Sequence, residues 1–147
     1  MKTATAVVAA VVVAAGTALG TAGTAQATCR AQYACMYSNS NLGGYKFENF
    51  NSQANWGSLR YTGTSIPLWA GDGTYNNVSS MENMDTNSPI AVYYNSQYRG
   101  SCFTIRSSGT VRNFADVRLS GDTHDGWVAN DVMNSHHFNI ACGTYYG

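Results

Sequence analysis

Residues 93–100 read Tyr-Tyr-Asn-Ser-Gln-Tyr-Arg-Gly, and residues 37–44 read Tyr-Ser-Asn-Ser-Asn-Leu-Gly-Gly. Both octapeptides consist of an aromatic residue, four further residues, a large apolar residue, any residue and a glycine. Glycine tolerates a positive φ angle that would strain a residue with a side chain, so the chain can fold back there. The first aromatic residue can then close over the folded segment. We predict the same folded hairpin twice, with Gly44 and Gly100 at equivalent positions.

The similarity continues beyond the octapeptides. Residues 55–63 and 113–121 share an Asn-aromatic pair, an aliphatic residue, an arginine and a final glycine. Residues 75–80 and 130–135 are polar clusters that each end in serine. Equivalent positions lie 55 to 58 residues apart, as loops of slightly different length would allow. We interpret the chain as a tandem duplication, in which the final serine of each copy hydrogen-bonds the hairpin backbone.

The chain between these motifs favours strands. No stretch has apolar residues at helical spacing over three turns. Short β-prone segments alternate instead with Gly, Asn and Ser turns, at residues 34–37, 45–50, 90–94, 102–105 and 136–140. Two such units are expected to pack sheet on sheet and bury alternating residues. We predict an all-β sandwich with a core of Met36, Phe47, Val78, Met81, Val92, Phe103, Ile105, Val132 and Phe138.

The first residues have the layout of a secretory signal. Lys2 supplies a positive charge, residues 6–15 are apolar, and residues 25–27 read Ala-Gln-Ala, which is a cleavage signature. The apolar run is shorter than the roughly 20 residues that span a bilayer. We therefore expect a signal peptide at residues 1–27 and a secreted, extracellular domain at residues 28–147.

The charge balance argues against two classes of partner. The chain has eight basic and eight acidic residues, and cleavage after the signal removes Lys2. Such a chain lacks the electrostatic footprint required for nucleic acid or for anionic membranes. We expect neither as a partner, and we expect a monomer.

All four cysteines lie in the predicted mature domain. An even number in an exported chain predicts two disulfides, with three possible pairings. We prefer Cys29–Cys35 with Cys102–Cys142, because this pairing ties each terminus to its own half of the chain. A zinc site is disfavoured because no Cys-x2-Cys spacing is present.

The duplicated pattern resembles the Greek-key motif of the βγ-crystallin superfamily, Tyr/Phe-x4-Tyr/Phe-x-Gly followed by a late serine. The first copy has Leu42 in place of the second aromatic residue, whereas the second copy matches fully through Tyr93, Tyr98, Gly100 and Ser135. The resemblance implies two tandem Greek keys in a disulfide-stapled sandwich. Greek key 1 is expected at about 33–83 and Greek key 2 at about 90–142.

The sequence is also similar to exported actinobacterial members of that superfamily. These have a Cys-x5-Cys-x-Tyr start, as at residues 29–37, and a late Trp-x-x-Asn-Asp-x-x-Ser/Asn-Ser segment, as at residues 127–135. They are grouped with a metalloproteinase inhibitor as peptidase inhibitor family thirty-six. The resemblance implies a secreted inhibitor of an extracellular protease, by likeness a metalloprotease.

An inhibitor of this kind would present a rigid loop to the protease. A loop held by disulfides and a sandwich loses little entropy when it binds. Residues 61–75 and their counterpart 119–127 connect matched framework positions and are free to carry function. Within the first segment we expect a hydrophobic, proline-containing stretch to make the contact, namely Ile66, Pro67, Leu68 and Trp69.

Calcium is the cofactor that the resemblance raises, since microbial βγ-crystallins often bind it through Asp/Asn-Asp/Asn-x-x-Ser/Thr-Ser. Hard cations prefer several oxygen ligands, including carboxylates. The first copy begins with Tyr75 and has no carboxylate. We expect weak calcium binding or none, and no required cofactor. The candidate ligands are Asn76, Ser79, Asn130, Asp131, Asn134 and Ser135.

No catalytic constellation is recognisable, so we expect no enzyme activity. The chain has no Gly-x-Ser-x-Gly elbow and no phosphate-binding glycine loop before a helix. His136 and His137 adjoin in a predicted strand, so their side chains should point to opposite faces.

Aromatic residues keep an alternative open. Trp69, Tyr45, Tyr94 and the pair Tyr145 and Tyr146 are not explained by the repeat, and aromatic faces can stack on sugar rings. The alternative is a non-catalytic βγ-crystallin-type binding or toxin-like module that binds calcium or a cell-wall glycan.

Overall fold

The computed structural model describes residues 28–147, and the predicted signal peptide lies outside the described residues. Residues 28–147 contain short 3₁₀ turns and no α-helix, and none of their helical segments could cross a membrane. The 3₁₀ turns are Ser40–Leu42, Trp56–Ser58, Phe114–Asp116 and Asp122–His124. The strands are β1 (Ala34–Asn39), β2 (Gly43–Asn49), β3 (Ser80–Asn83), β4 (Ile90–Asn95), β5 (Arg99–Ile105), β6 (Thr110–Val111), β7 (Ser135–Phe138) and β8 (Tyr145–Tyr146).

The strands form two four-stranded sheets, in the orders β2-β1-β3-β6 and β7-β4-β5-β8. All pairings are antiparallel except β5 with β8, which is parallel. In the centre of the first sheet Met36 pairs with Phe47 on one side and Met81 on the other. The predicted all-β, two-Greek-key sandwich is confirmed.

The two halves of the chain exchange edge segments, which the sequence did not predict. Strand β6 comes from the second repeat but pairs with β3 of the first, where Val111 lies opposite Met81. In the equivalent position, Gln53 of the first repeat forms a bridge with His136 of β7. Each sheet is therefore completed by a segment of the other repeat, and neither repeat forms its sheet alone.

The two octapeptides fold in the same way. Gly44 and Gly100 have φ angles of 75° and 79°. Ser80 Oγ donates to the Asn39 oxygen at 2.6 Å and accepts from the Leu42 amide at 3.1 Å. In the second copy, the Ser135 hydroxyl donates to an oxygen at 2.6 Å and accepts from an amide at 3.2 Å, at the equivalent residues. The predicted hairpins and their serine caps are confirmed.

One hydrophobic core lies between the sheets. Six of the nine predicted core residues are fully buried, whereas Phe47, Val132 and Phe138 are half-buried and pack against its edge. The predicted core list leaves out five large, fully buried side chains that lie outside the regular strands: Trp56, Tyr61, Leu68, Phe114 and Met133. Trp56 and Phe114 each begin a 3₁₀ turn, capped by the side chain of the preceding asparagine. The repeated Asn-aromatic pair thus anchors each crossing segment in the core.

Two disulfides join the first and last segments of the described residues to the sandwich. Cys29 bonds Cys35 in β1, and Cys142 bonds Cys102 in β5. This is the pairing preferred from the sequence, and residues 28–147 contain no free cysteine.

Candidate functional site

Two clefts lie between the repeats, at positions that the duplication relates. The amide cleft has a volume of about 390 Å³ and is lined by Ser38, Asn39, Ser40, Tyr75, Asn76, Ser79, Asn113, Asn130 and Asp131. The aromatic cleft has a volume of about 560 Å³ and is lined by Asn55, Trp69, Gly71, Asp72, Tyr94, Asn95, Ser96 and Asn134. Residues 38–40 of the first cleft correspond to residues 94–96 of the second. The second cleft has two aromatic residues in its lining, Trp69 and Tyr94, whereas the first has Tyr75 alone.

The amide cleft contains a single carboxylate whose oxygens both have partners. Ser79 Oγ donates to Asp131 Oδ1 at 2.7 Å, and Asn130 Nδ2 donates to Asp131 Oδ2 at 2.6 Å. Burial raises the pKa of Asp131, while these two hydrogen bonds act against the shift. No group of three or more His, Cys, Asp or Glu side chains converges within residues 28–147. This donor set fits a satisfied polar network better than a calcium site.

The structure separates the predicted calcium ligands. Asn76, Ser79, Asn130 and Asp131 line the amide cleft together. Asn134 instead lines the aromatic cleft, where its side-chain oxygen accepts from the Trp56 amide at 3.1 Å. Ser135 is buried, caps its hairpin and is not among the residues that line either cleft.

Beside the aromatic cleft, three rings form a compact cluster. The Tyr94 and His124 rings stack with centroids 3.8 Å apart and an interplanar angle of 14°. The Trp127 ring lies edge-on to His124, with centroids 4.5 Å apart, and to Tyr94 at 6.4 Å. The Tyr94 hydroxyl donates to the Asp72 carboxylate. Burial, reinforced by this hydrogen bond and the negative charge of Asp72, raises the pKa of Tyr94 to about 12.

The predicted contact stretch, residues 66–69, packs on its own sandwich. Leu68 is fully buried, so its side chain has no exposed surface with which to contact a partner. The Leu68 amide donates to the Leu59 oxygen at 3.3 Å, and the Leu68 oxygen accepts from the Val78 amide at 3.2 Å. These two hydrogen bonds hold the backbone of Leu68 against the core. Ile66 and Trp69 are half-buried and pack against the same core, and Pro67 is half-buried.

The counterpart segment is more exposed. Gly121, Asp122, Thr123, Asp125, Gly126 and Trp127 are all exposed, and His124 is half-buried. Trp127 is 53% exposed although it contacts two other rings. The sequence analysis identified this segment but did not identify the cluster. Tyr94 could have indicated the cluster from the sequence. It follows Val92 at the next-but-one position of β4, so it lies on the same core-facing side near the end of the strand, where an aromatic ring can reach a neighbouring loop.

The histidines do not form a shared site. His136 is fully buried in β7, whereas His137 is half-buried and lies edge-on to Tyr98, with ring centroids 4.8 Å apart. His124 belongs to the aromatic cluster described above. The opposite orientations of His136 and His137 follow from strand alternation.

Comparison with known proteins identifies one family. The model of peptidase inhibitor family I36 matches residues 22–105. No curated protein matches. A solved structure described as "Evolution of the eye lens beta-gamma-crystallin domain fold" aligns with a TM-score of 0.56 at 15% identity, over 77% of this chain and 91% of that one. A beta gamma crystallin from Ciona intestinalis aligns with a TM-score of 0.46 at 15% identity, over 71% of this chain and 96% of that one.

Proposed function

This chain belongs to peptidase inhibitor family I36, and we propose that it is a secreted, non-catalytic inhibitor of an extracellular protease. The observation that carries the proposal is the family match over residues 22–105, which covers Greek key 1 and the first two strands of Greek key 2. We further propose a metalloprotease as the target class, on the resemblance described from the sequence.

The architecture supports an inhibitory role. A protein that must occupy a protease cleft without being cut benefits from a loop whose ends are fixed, because little conformational freedom is then lost on binding. Here, the segment at each end of residues 28–147 is bonded by a disulfide to a central strand of a sheet. Two disulfides are also typical of proteins that function in an oxidising compartment, which supports export.

A direct titration tests the proposal. The protein would be purified from the culture medium after expression of the full chain and mixed with a thermolysin-type zinc protease or a subtilisin-type serine protease. We expect stoichiometric loss of activity with the zinc protease and little loss with the serine protease. Full residual activity of both enzymes at large molar excess would contradict inhibition, and inhibition of the serine protease alone would contradict the target class.

A second candidate function is supported by one observation. The aromatic cleft combines amide and carboxylate groups with the exposed Trp127 beside Tyr94, which is a suitable combination for a sugar ring. A cell-wall glycan is therefore the alternative ligand. Co-sedimentation with insoluble peptidoglycan tests this candidate independently of any protease.

A further inference from the structure

We infer that the loop of residues 121–127, here named the Trp127 loop, is the surface that docks into the protease, with Trp127 as its anchor. The inference rests on the proposed function and specifies its binding surface. It replaces the stretch at residues 66–69, whose central side chain is fully buried.

Exposure distinguishes the two segments. In the Trp127 loop every residue except His124 is exposed, so the whole loop is accessible to a partner. Residues 66–69 contain no exposed residue. Binding energy in protein interfaces concentrates in a few large side chains, above all Trp, Tyr and Arg. Trp127 is the exposed tryptophan of residues 28–147, because Trp56 is buried and Trp69 is half-buried.

The Trp127 loop is also held in one conformation by internal hydrogen bonds. The Gly121 amide donates to Asp125 Oδ1 at 2.8 Å across the loop. At its base, the Leu119 amide donates to the Trp127 oxygen at 2.9 Å, and the Gly126 amide donates to the Leu119 oxygen at 2.8 Å. These contacts fix both ends of the loop before any partner arrives.

A disulfide-bonded strand supports this base. Ser120 and Cys102 exchange two backbone hydrogen bonds, at 2.9 and 3.1 Å. The His124 amide donates to Ser101 Oγ at 3.0 Å. Cys102 also forms the disulfide with Cys142. The residue at the base of the loop is therefore hydrogen-bonded to a disulfide-bonded cysteine. A preorganised loop of this kind loses little freedom on binding.

Aromatic packing restricts the anchor itself. Trp127 lies edge-on to His124, which is stacked on Tyr94. Tyr94 is held in turn by its hydrogen bond to Asp72. The Trp127 side chain therefore has rigid support on one side, while more than half of its surface remains available to a partner.

The charges around the anchor specify the partner. Asp72, Asp122 and Asp125 are all exposed, and none forms a salt bridge within residues 28–147. Each accepts one hydrogen bond through one carboxylate oxygen, which leaves the other oxygen free within the described part of the chain. The surface therefore fits a protease whose cleft has an apolar pocket with basic groups at its rim. Complementary charge of this kind chiefly accelerates association.

Two aromatic variants test the anchor. We expect Trp127→Ala to weaken inhibition of the zinc protease by about 30-fold or more, as loss of an interface anchor does. Phe50→Ala is the matched control, because Phe50 is 58% exposed, as Trp127 is to 53%, and lies outside both clefts and both candidate binding segments. Its inhibition constant should change less than about 2-fold, within the range of energetically neutral contacts. Melting curves verify folding, and Trp127→Phe, which retains an aromatic ring, should have an intermediate effect.

Charge variants test the rim. The double substitution Asp122→Asn with Asp125→Asn should slow association at low ionic strength, and this difference should shrink as salt is added. Unchanged association at every salt concentration would overturn the basic rim that we assign to the partner.

The remaining outcomes distinguish an error in the docking surface from an error in the proposed function. If the parent protein inhibits the protease and folded Trp127→Ala inhibits equally well, the docking surface is wrong and the inhibitory function stands. If the parent inhibits no protease, the proposed function fails and the protease partner fails with it. If peptidoglycan then sediments the parent but not Trp127→Ala, the same loop is a glycan site.

Discussion

The indole Nε1 of Trp56 donates a hydrogen bond to Nδ1 of His136 at 2.9 Å, and this contact joins the first repeat to the second. Both side chains are fully buried. The other ring nitrogen, Nε2, lies 3.2 Å from the backbone oxygen of Asn51. Because Nδ1 accepts, Nε2 carries the proton and donates to that oxygen. Both nitrogens of the neutral ring are thus used, and a second proton on the ring would displace the Trp56 bond.

Stability should therefore depend on the charge state of His136. Burial lowers the pKa of His136 from 6.5 to about 3. As the pH falls below 6.5 the unfolded chain takes up a proton that the folded chain does not, so folding becomes less favourable. Between pH 7.5 and 5 this residue should lower the free energy of unfolding by about 2 kcal/mol.

Urea unfolding at several pH values measures this dependence. Comparison with His136→Gln separates the contribution of this histidine from that of the carboxyl groups. The free energy of unfolding of the variant should fall by about 2 kcal/mol less than that of the parent between pH 7.5 and 5. NMR of the folded parent gives a second readout that does not require the variant to fold. A protonated His136 ring at pH 5 would show that the prediction is wrong.

Two tryptophans should respond differently to replacement by phenylalanine. Trp56→Phe leaves the buried Nδ1 of His136 without a donor, which typically costs about 1–3 kcal/mol in addition to the cavity. Trp69 Nε1 is buried without a hydrogen-bond partner in residues 28–147, so Trp69→Phe removes an unpaired donor and offsets part of its cavity cost. Trp56→Phe should be the more destabilising by at least about 1 kcal/mol in urea unfolding. Equal losses would contradict the assignment of the hydrogen bond.

The fold could be predicted because its defining elements are local and repeated. The glycines of the two octapeptides require a positive φ angle, and each serine binds its own hairpin, so eight-residue patterns and a late serine carry the information. Strand β3 reads Ser-Met-Glu-Asn, and β6 and β8 contain two residues each. Segments this short show no periodicity in sequence. They pair with strands far away in the chain, β6 with β3 and β8 with β5, so the local sequence does not predict them.

The candidate site was less predictable because burial within loops depends on backbone routing. The backbone of Leu68 is hydrogen-bonded to Leu59 earlier in the chain and to Val78 later in the chain, and its side chain is fully buried. Trp127, also a large hydrophobic residue but in the counterpart loop, remains exposed. Composition alone does not separate these two cases. The contact between Tyr94 and His124 joins residues 30 positions apart in sequence, and no spacing rule predicts it.

The hairpin serines should be important for stability in both copies. Ser80→Ala would leave the Leu42 amide and the Asn39 oxygen without their partner, and Ser135→Ala would do the same in the second copy. Each variant loses two part-buried hydrogen bonds, at about 0.5–1.5 kcal/mol each, so each should lose at least about 1 kcal/mol. Ser65→Ala, at an exposed position, should stay within about 0.5 kcal/mol of the parent. Equal stability of all three variants in urea would contradict a capping role.

The two disulfides should contribute unequally. Cys102–Cys142 joins positions 40 residues apart, whereas Cys29–Cys35 joins positions 6 apart. Chain entropy predicts losses of about 4 and about 2 kcal/mol when the respective pairs are replaced by serine. Loss of Cys102–Cys142 should also weaken inhibition, because the Trp127 loop rests on it. Calorimetric melting and inhibition constants for the two double variants measure both effects, and a larger loss from the short bridge would contradict the entropic argument.

Calcium should affect this protein little. The amide cleft has one carboxylate, Asp131, and both of its oxygens already accept hydrogen bonds from Ser79 and Asn130. A calcium ion would have to replace these bonds with its own and would gain no second carboxylate in return. We therefore expect a dissociation constant of about 1 mM or weaker, in the range of the weakest protein calcium sites.

The effect of calcium on the free energy of unfolding distinguishes a weak calcium site from a tight one. At about 1 mM calcium, a site with a dissociation constant near 1 mM adds only about 0.4 kcal/mol to the free energy of unfolding, whereas a submicromolar site adds at least about 4 kcal/mol. Urea unfolding with calcium or with a chelator should thus give nearly the same midpoint for the parent protein. Asp131→Asn and the exposed-site control Asp116→Asn should be equally insensitive to calcium. A large calcium-dependent shift that is lost in Asp131→Asn and retained in Asp116→Asn would establish a tight site in the amide cleft and overturn the prediction.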